Sequence, residues 1–361
     1  MFGVPWPEMN DGVRYAEIAR LPSSQQGESV LDYYASRYQS SASREGWLRR
    51  ILKGQIEING EVVTSPDALI RNNASLVYHR FPWEEPNAPF MLEILYEDEH
   101  LLAINKPSGL QVLPGGLFQQ RTVLSQLQWR VTDQVERNHP TPVHRLGRGT
   151  SGVLLCAKSD QARCVLGMKL ASATLRSGVE DRFEMLSKVY RALVCGIVQD
   201  DKISIDQAIG RAHYPGVRGG LYMAVAKIRT DLHLPMQAGK LSHSKVTTLK
   251  RNTEENSTVV EVEIFSGRAH QIRIHLASIG HPLVGDPLYV RGGQPSTQVV
   301  STLEQASVAE DGGYERPENP LPGDCGYHLH AHRLTFHHPV TNQRLEIVAP
   351  LPPELETESP F

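Results

Sequence analysis

The chain has 361 residues, enough for about two domains of ordinary size, with 40% hydrophobic and 21% charged residues. A net charge of −3 excludes a globally basic nucleic-acid binder, so any such contact must rest on a local basic face. Four cysteines without a C-x-x-C pair argue against a disulfide framework and for a reducing compartment, and no apolar run reaches membrane-spanning length.

The opening "MFGVPWPEMNDG" has neither a signal-peptide nor a transit pattern, so the cytosol or nucleus is the expected location. Residues 1–27 read as a loosely packed, aperiodic extension. From Glu28 the pattern becomes helical: Leu31 with Tyr34, then Trp47 and Leu48 with Ile51 and Leu52, each pair spaced for one helix face. Gly54 is placed to stop the second helix, and "QIEINGEVV" predicts a hairpin turning at Asn59-Gly60. Arg44, Arg49, Arg50 and Lys53 form the polar face of that second helix, either a solvated surface or an RNA-binding one. Residues 83–91 read as a Pro-rich linker. Beyond it, "LEILYEDEHLLAINK" predicts strand, turn and strand, and "QARCVLGMKLASATL" a helix. The mixture predicts an α+β domain with a long, mostly antiparallel mixed sheet over residues 92–348, followed by a tail, 349–361. Two stretches look inserted: 213–238, and the acidic, Pro-, Gly- and Ser-rich 291–324, which reads as a mobile loop.

"VHRLGRGTSGVLLCAKS" (Val143 to Ser159) contains G-x-G-x-x-G at Gly147, Gly149 and Gly152. A dinucleotide loop needs a strand before the glycines and a helix N-terminus after them. Here the order is reversed: prolines precede, and the apolar run "VLLCA" follows as a strand. No G-K-[ST] or kinase motif set accompanies it, so no nucleotide cofactor is implied. In "CGYHLHAH", Cys325, His328, His330 and His332 alternate on one strand, a possible but weakly specified metal cluster, and no metal is assigned.

Two resemblances organise these observations. The order helix, basic helix, N-G hairpin over residues 28–82 resembles the small S4 RNA-binding domain, and implies an RNA-facing role for Arg44, Arg49, Arg50 and Lys53. His144, Arg145, Leu146, Thr150, Ser151 and Gly152 match H-R-L-D-x-x-T-S-G of the RluA family of pseudouridine synthases. "INKPSGLQVLPGG" with Lys106, "KVYRALVCG" with Lys188 and Tyr190, and "FSGRAHQIRIHLASIGHPLVGDPLY" with Arg268, Arg273 and Asp286 resemble further motifs of that family, in order. "LHAHRLTFHHPV" closes the pattern.

The resemblance implies isomerisation of uridine to pseudouridine in structured RNA. The N1–C1′ bond breaks, the uracil turns, and C5 joins C1′, with the target nucleotide lifted from its stack. It implies no cofactor, an RNA partner of unspecified type, no membrane association and, by default, a monomer. Tyr190 matches the ring that supports the uracil, and Arg268 the cation that pairs with the catalytic carboxylate. Arg145 matches the residue that takes the place of the flipped base, while His144 fits a loop-holding role better than acid–base work. Leu146, Thr150, Ser151, Lys106 and Arg273 fall in the motifs around the substrate. The family's catalytic Asp position is Gly147, which has no side chain. Two readings stay open: a synthase working through another carboxylate, with Asp206, Asp286 and Asp160 as unconvincing candidates, or an RNA-binding protein on the same fold that no longer isomerises uridine.

Overall fold

The computed structural model describes residues 1–22, 26–39, 41–131, 139–175, 186–214, 217–225, 239–296, 308–311, 314–317 and 324–357. Near the N-terminus, helices Val30–Arg37 and Arg44–Leu52 begin on serine caps, the Ser29 and Ser43 hydroxyls accepting the amides of Asp32 and Gly46. Strands Ile56–Ile58 and Glu61–Val63 form the expected hairpin, with both turn residues at positive φ, Asn59 at 54° and Gly60 at 88°. Trp47, Ile51, Tyr33 and Tyr34 from the helices pack with Ile56, Leu76 and Tyr78 from the strands in one core.

Of the stretch expected as a loose extension, residues 1–22 are packed. Val13–Ile18 pairs antiparallel with Ser75–Arg80 and edges the four-stranded sheet, so this unit begins well before residue 28. No residue of that strand is fully buried, and Tyr15 and Ile18 are exposed on opposite faces, so its alternation carries little apolar signal. Phe2 bridges to Leu92, and buried Asn10 donates to Glu85 at 2.8 Å. The stretch expected as a linker is equally packed. Glu85 also accepts the amides of Gln119, Gln120 and Arg121, while the Trp83 indole donates to Leu117 O.

The larger unit is a ten-stranded sheet among the described residues. Its path runs Lys202–Asp206, His243–Asn252, Ser257–Ile264, Ser187–Cys195, Leu329–His337, Ser151–Ala157, Leu101–Lys106 and Glu93–Glu97. Two short strands, Arg344–Val348 and Thr141–Pro142, pair off this path. Neighbours are antiparallel except Ser151–Ala157 beside Leu329–His337, which run parallel. The apolar run "VLLCA" is central because both of its faces are covered. Leu154 and Cys156 join a core with helix Val123–Arg130, while Val153 and Leu155 join another with helix Asp160–Leu175. Helix Gln271–Ser278 adds Ile272 and Leu276 to a third core.

The expected insertions differ from their sequence reading. Residues 213–214 and 217–224 belong to paired strands, Ile209–Tyr214 and Val217–Ala224; 215–216 and 226–238 lie outside the described residues. Within 291–324, expected as a loop, Val308–Asp311 pairs with Tyr314–Pro317, and 297–307, 312–313 and 318–323 lie outside the described residues. No described helix is long and apolar enough to cross a membrane.

Candidate active site

The three glycines of the 147–152 loop are explained by the segment packed on them. Gly152 has φ 106°, and a Cβ there would sit 2.3 Å from Ala331 O, so the parallel strand pair closes only with glycine. A Cβ on Gly149 would lie 2.6 Å from Asp324 O and 2.8 Å from Cys325 Cα. At Gly147 it would meet Tyr327 Oη at 2.8 Å and Thr150 Oγ1 at 3.3 Å, with Asp324 Oδ1 at 4.0 Å. Residues 324–327 thus occupy the space that side chains at 147 and 149 would need. The loop leads into a strand, so the phosphate-cradle geometry is absent.

A buried ion network fixes the 324–327 segment. Arg273, 2% exposed, donates from Nε and Nη2 to both oxygens of Asp286, at 2.7 and 2.8 Å, and from Nη1 to Asp324 Oδ1 at 2.9 Å. Asp286, fully buried, also accepts the amides of Leu288 and Tyr289. The Tyr327 ring lies 4.3 Å from the Arg273 guanidinium carbon. Asp324 Oδ2 accepts the Arg148 amide at 3.3 Å, and its side chain stays one-third exposed.

Arg148, Arg273, Asp324 and Tyr327 line a cleft of about 650 Å³, within the range of small-ligand sites. Its walls include His144 to Arg148, Thr150, Lys188, Tyr190, Gly267 to Arg273, Asp324 and Tyr327. Tyr190, Arg268 and Gly147, expected to converge, face this one space. Tyr190 stands on a sheet strand between two cores, and burial pushes its phenol up to about 12, so the ring is neutral near pH 7. Burial lowers Lys188 to about 8. Arg268 is held through its backbone, whose amide donates to Gln271 Oε1 at 3.1 Å, while Gln271 Nε2 donates to His243 O and Ser244 Oγ. His270 starts the helix in a left-handed conformation, φ 54°, and its Nδ1 meets Tyr289 Oη at 2.8 Å. Burial and the charge of Lys188 lower His144 to about 3. Its Nε2 accepts the Leu155 amide at 3.1 Å, which makes it a neutral loop-holding residue.

Several expected site residues do something else. Lys106 is fully buried outside the cleft and donates to the carbonyls of Pro107, Leu110 and Arg148, pinning the first motif to the 147–150 loop. The Ser151 hydroxyl meets His330 Nδ1 at 2.8 Å and is also outside the cleft. Arg273 reaches the cleft wall with its donors committed to Asp286 and Asp324, so it organises acids rather than holding substrate. Arg50, expected on a solvated basic face, is 1% exposed. It donates to the backbone and hydroxyl of Ser41 and stacks over Trp47 at 4.4 Å. The i, i+3 spacing to Trp47 carried that signal. Arg44 pairs with Asp32 at 2.6 Å and Arg49 with Glu45 at 3.4 Å, both exposed. Asp206 pairs with His243 and Asp160 with Arg163, and neither lines the cleft. His330 and His332 bond to Ser151 and Ala349 O, and His328 to Glu354. Lys188, His270, Asp324 and Tyr327 are cleft residues to which the sequence reading gave no role. Asp324 lies at the end of an insertion, 177 positions after Gly147, where no local pattern marks it.

The comparisons agree with this fold. A family model described as RNA pseudouridylate synthase matches residues 100–278. The chain is 52% identical over 369 residues to RNA pseudouridine synthase 5 of Arabidopsis thaliana, covering 98% of this chain and 97% of that protein. It is 50% identical over 372 residues to the Oryza sativa subsp. japonica protein of the same name, covering 99% and 91%. Ribosomal large subunit pseudouridine synthase D of Pseudomonas aeruginosa is 31% identical over 352 residues, covering 95% and 94%. Among solved structures, human RNA pseudouridylate synthase domain containing 1 shares the fold, with a TM-score of 0.50 and 23% identity over 75% of this chain and 89% of that one. The chain belongs to the RluA family of pseudouridine synthases.

Proposed function

We propose that this protein isomerises uridine to pseudouridine in structured RNA, taking the target nucleotide out of its stack and into the cleft. The observation that carries this reading is the convergence of Tyr190, Arg268, Arg145 and Lys188 on one partly open space of base-binding size. The Tyr190 ring supports the uracil face, and the cationic rim neutralises the phosphates of the distorted strand. Arg145, exposed at the rim, fills the gap left by the flipped base. Leu146 and Thr150 shape the floor, and Arg268 keeps a carboxylate ionised beside the sugar. Arg44, Arg49 and Lys53 of the S4-like unit, residues 28–82 extended by its added edge strand, hold the RNA outside the cleft. Free cysteines fit a cytosolic or nuclear protein.

The test uses RNA labelled with tritium at uridine C5, because isomerisation releases that hydrogen to water. Total RNA from cells lacking the protein should release tritium on incubation with it, and Arg268→Ala should reduce release by at least about 100-fold. RNA that is bound without any release would refute the synthase reading.

A further inference from the structure

Glycosidic isomerisation needs a base or nucleophile at the sugar, and Gly147 offers none. Among the described residues that line the cleft, Asp324 is the one Asp or Glu. Its Oδ1 lies 4.0 Å from where a Cβ on Gly147 would stand, close to the region that a carboxylate at 147 would occupy. Of the two acids on Arg273, Asp286 is fully buried and accepts from Arg273, Leu288 and Tyr289. Asp324 accepts from Arg273 and Arg148 but is 34% exposed, and its open side faces the cleft. The fit is reciprocal: Tyr327 and the 324–325 backbone fill the volume of side chains at 147 and 149, so this segment and those glycines require each other.

We infer that Asp324 supplies the catalytic carboxylate, reached from the end of the 291–324 insertion instead of from the loop after Leu146. The inference rests on the reading of the cleft as a synthase site. The Asp324 carboxylate takes the C2′ proton of the everted uridine. The C2′–H electron pair forms a C1′=C2′ double bond, and the N1–C1′ pair leaves on N1 of the uracil anion. After the base turns, its C5 attacks C1′, and C2′ takes the proton back from Asp324. Loss of the C5 proton and protonation of N1 complete an isomerisation that consumes nothing. Arg273 is the positioning residue, since it orients the acid without reaching the sugar.

Asp324→Asn separates this role from a structural one. The amide oxygen can still accept from Arg273, and only the 3.3 Å bond from the Arg148 amide to the second oxygen is lost, so a merely structural Asp324 would leave the rate near wild type. Under single turnover with C5-tritiated RNA, D324N should release tritium about 100- to 10,000-fold more slowly, with RNA affinity within about threefold and melting within a few degrees of wild type. Should D324N fail to fold, Asp324→Glu retains the charge with a displaced carboxylate, and should be at least about tenfold slower at unchanged affinity. A folded D324N within tenfold of an active wild type, or an unslowed D324E, overturns the assignment alone. A wild-type protein that releases no tritium overturns the synthase reading and this assignment with it.

Discussion

Restoring the family's aspartate at position 147 should harm this protein. In Gly147→Ala the new Cβ meets Tyr327 Oη at 2.8 Å and Thr150 Oγ1 at 3.3 Å. The tyrosine cannot withdraw easily, because it is 4% exposed and stacked against Arg273. Overpacking of this kind costs about 1–3 kcal/mol. Gly147→Asp hangs a second carboxylate from a Cβ 4.0 Å from Asp324 Oδ1, and two unit charges about 4 Å apart repel by about 4 kcal/mol at an effective dielectric of about 20. Part of that repulsion is relieved if one acid protonates or Arg268 turns toward the pair. Urea denaturation should therefore rank wild type above G147A and G147A above G147D, with G147A lower by about 1–3 kcal/mol. Tritium release should fall in both variants, further in G147D. Faster pseudouridine formation by G147D at undiminished stability would refute the steric and electrostatic reasoning together.

Tyr190→Phe should keep tritium release within about tenfold of wild type, since the buried phenol is neutral, whereas Tyr190→Ala should lose at least about 100-fold; equal losses would mean that the hydroxyl, not the ring, carries the role. His144, lowered to about 3, and His270, His275 and His330, each lowered to about 4, are neutral in the fold, the last two fully buried and the first two partly so. The unfolded chain binds more protons between about pH 4 and 6.5, so stability should be fully present above about pH 6.5 and fall as the pH drops through that window. Urea midpoints measured across it should flatten with each His→Gln substitution, and an unchanged slope in all four would exclude these groups. Arg50→Ala should cost on the order of 2–5 kcal/mol, as for truncating a large core side chain, with the salt dependence of RNA binding unchanged. Reversing Arg49 and Lys53 should instead weaken RNA binding across sequences and leave the melting temperature within a few degrees.

Local rules read the local structure well. The Asn59-Gly60 turn and the strand "VLLCA" follow from short patterns whose physics lies within a few residues. The convergence of Tyr190 and Arg268 was legible only through motif spacing, since they stand on different elements. Three features lay beyond reach for one reason: the partner is distant in the chain. Val13–Ile18 is a strand because Ser75–Arg80 offers its edge. Lys106 looked like a ligand-facing lysine until three carbonyls converged on it. Gly147 looked like a loss because its neighbour Asp324 comes from the far end of an insertion.

The packing of residues 324–327 onto the glycine loop bears on how such proteins are sorted into active and inactive. An aligned column records order along the polymer, whereas a ribose meets oxygen atoms wherever they come from. Any census that dismisses chains for a blank at the position after Leu146 should first ask what fills the vacated volume. In this molecule, that filling carries an acid of its own.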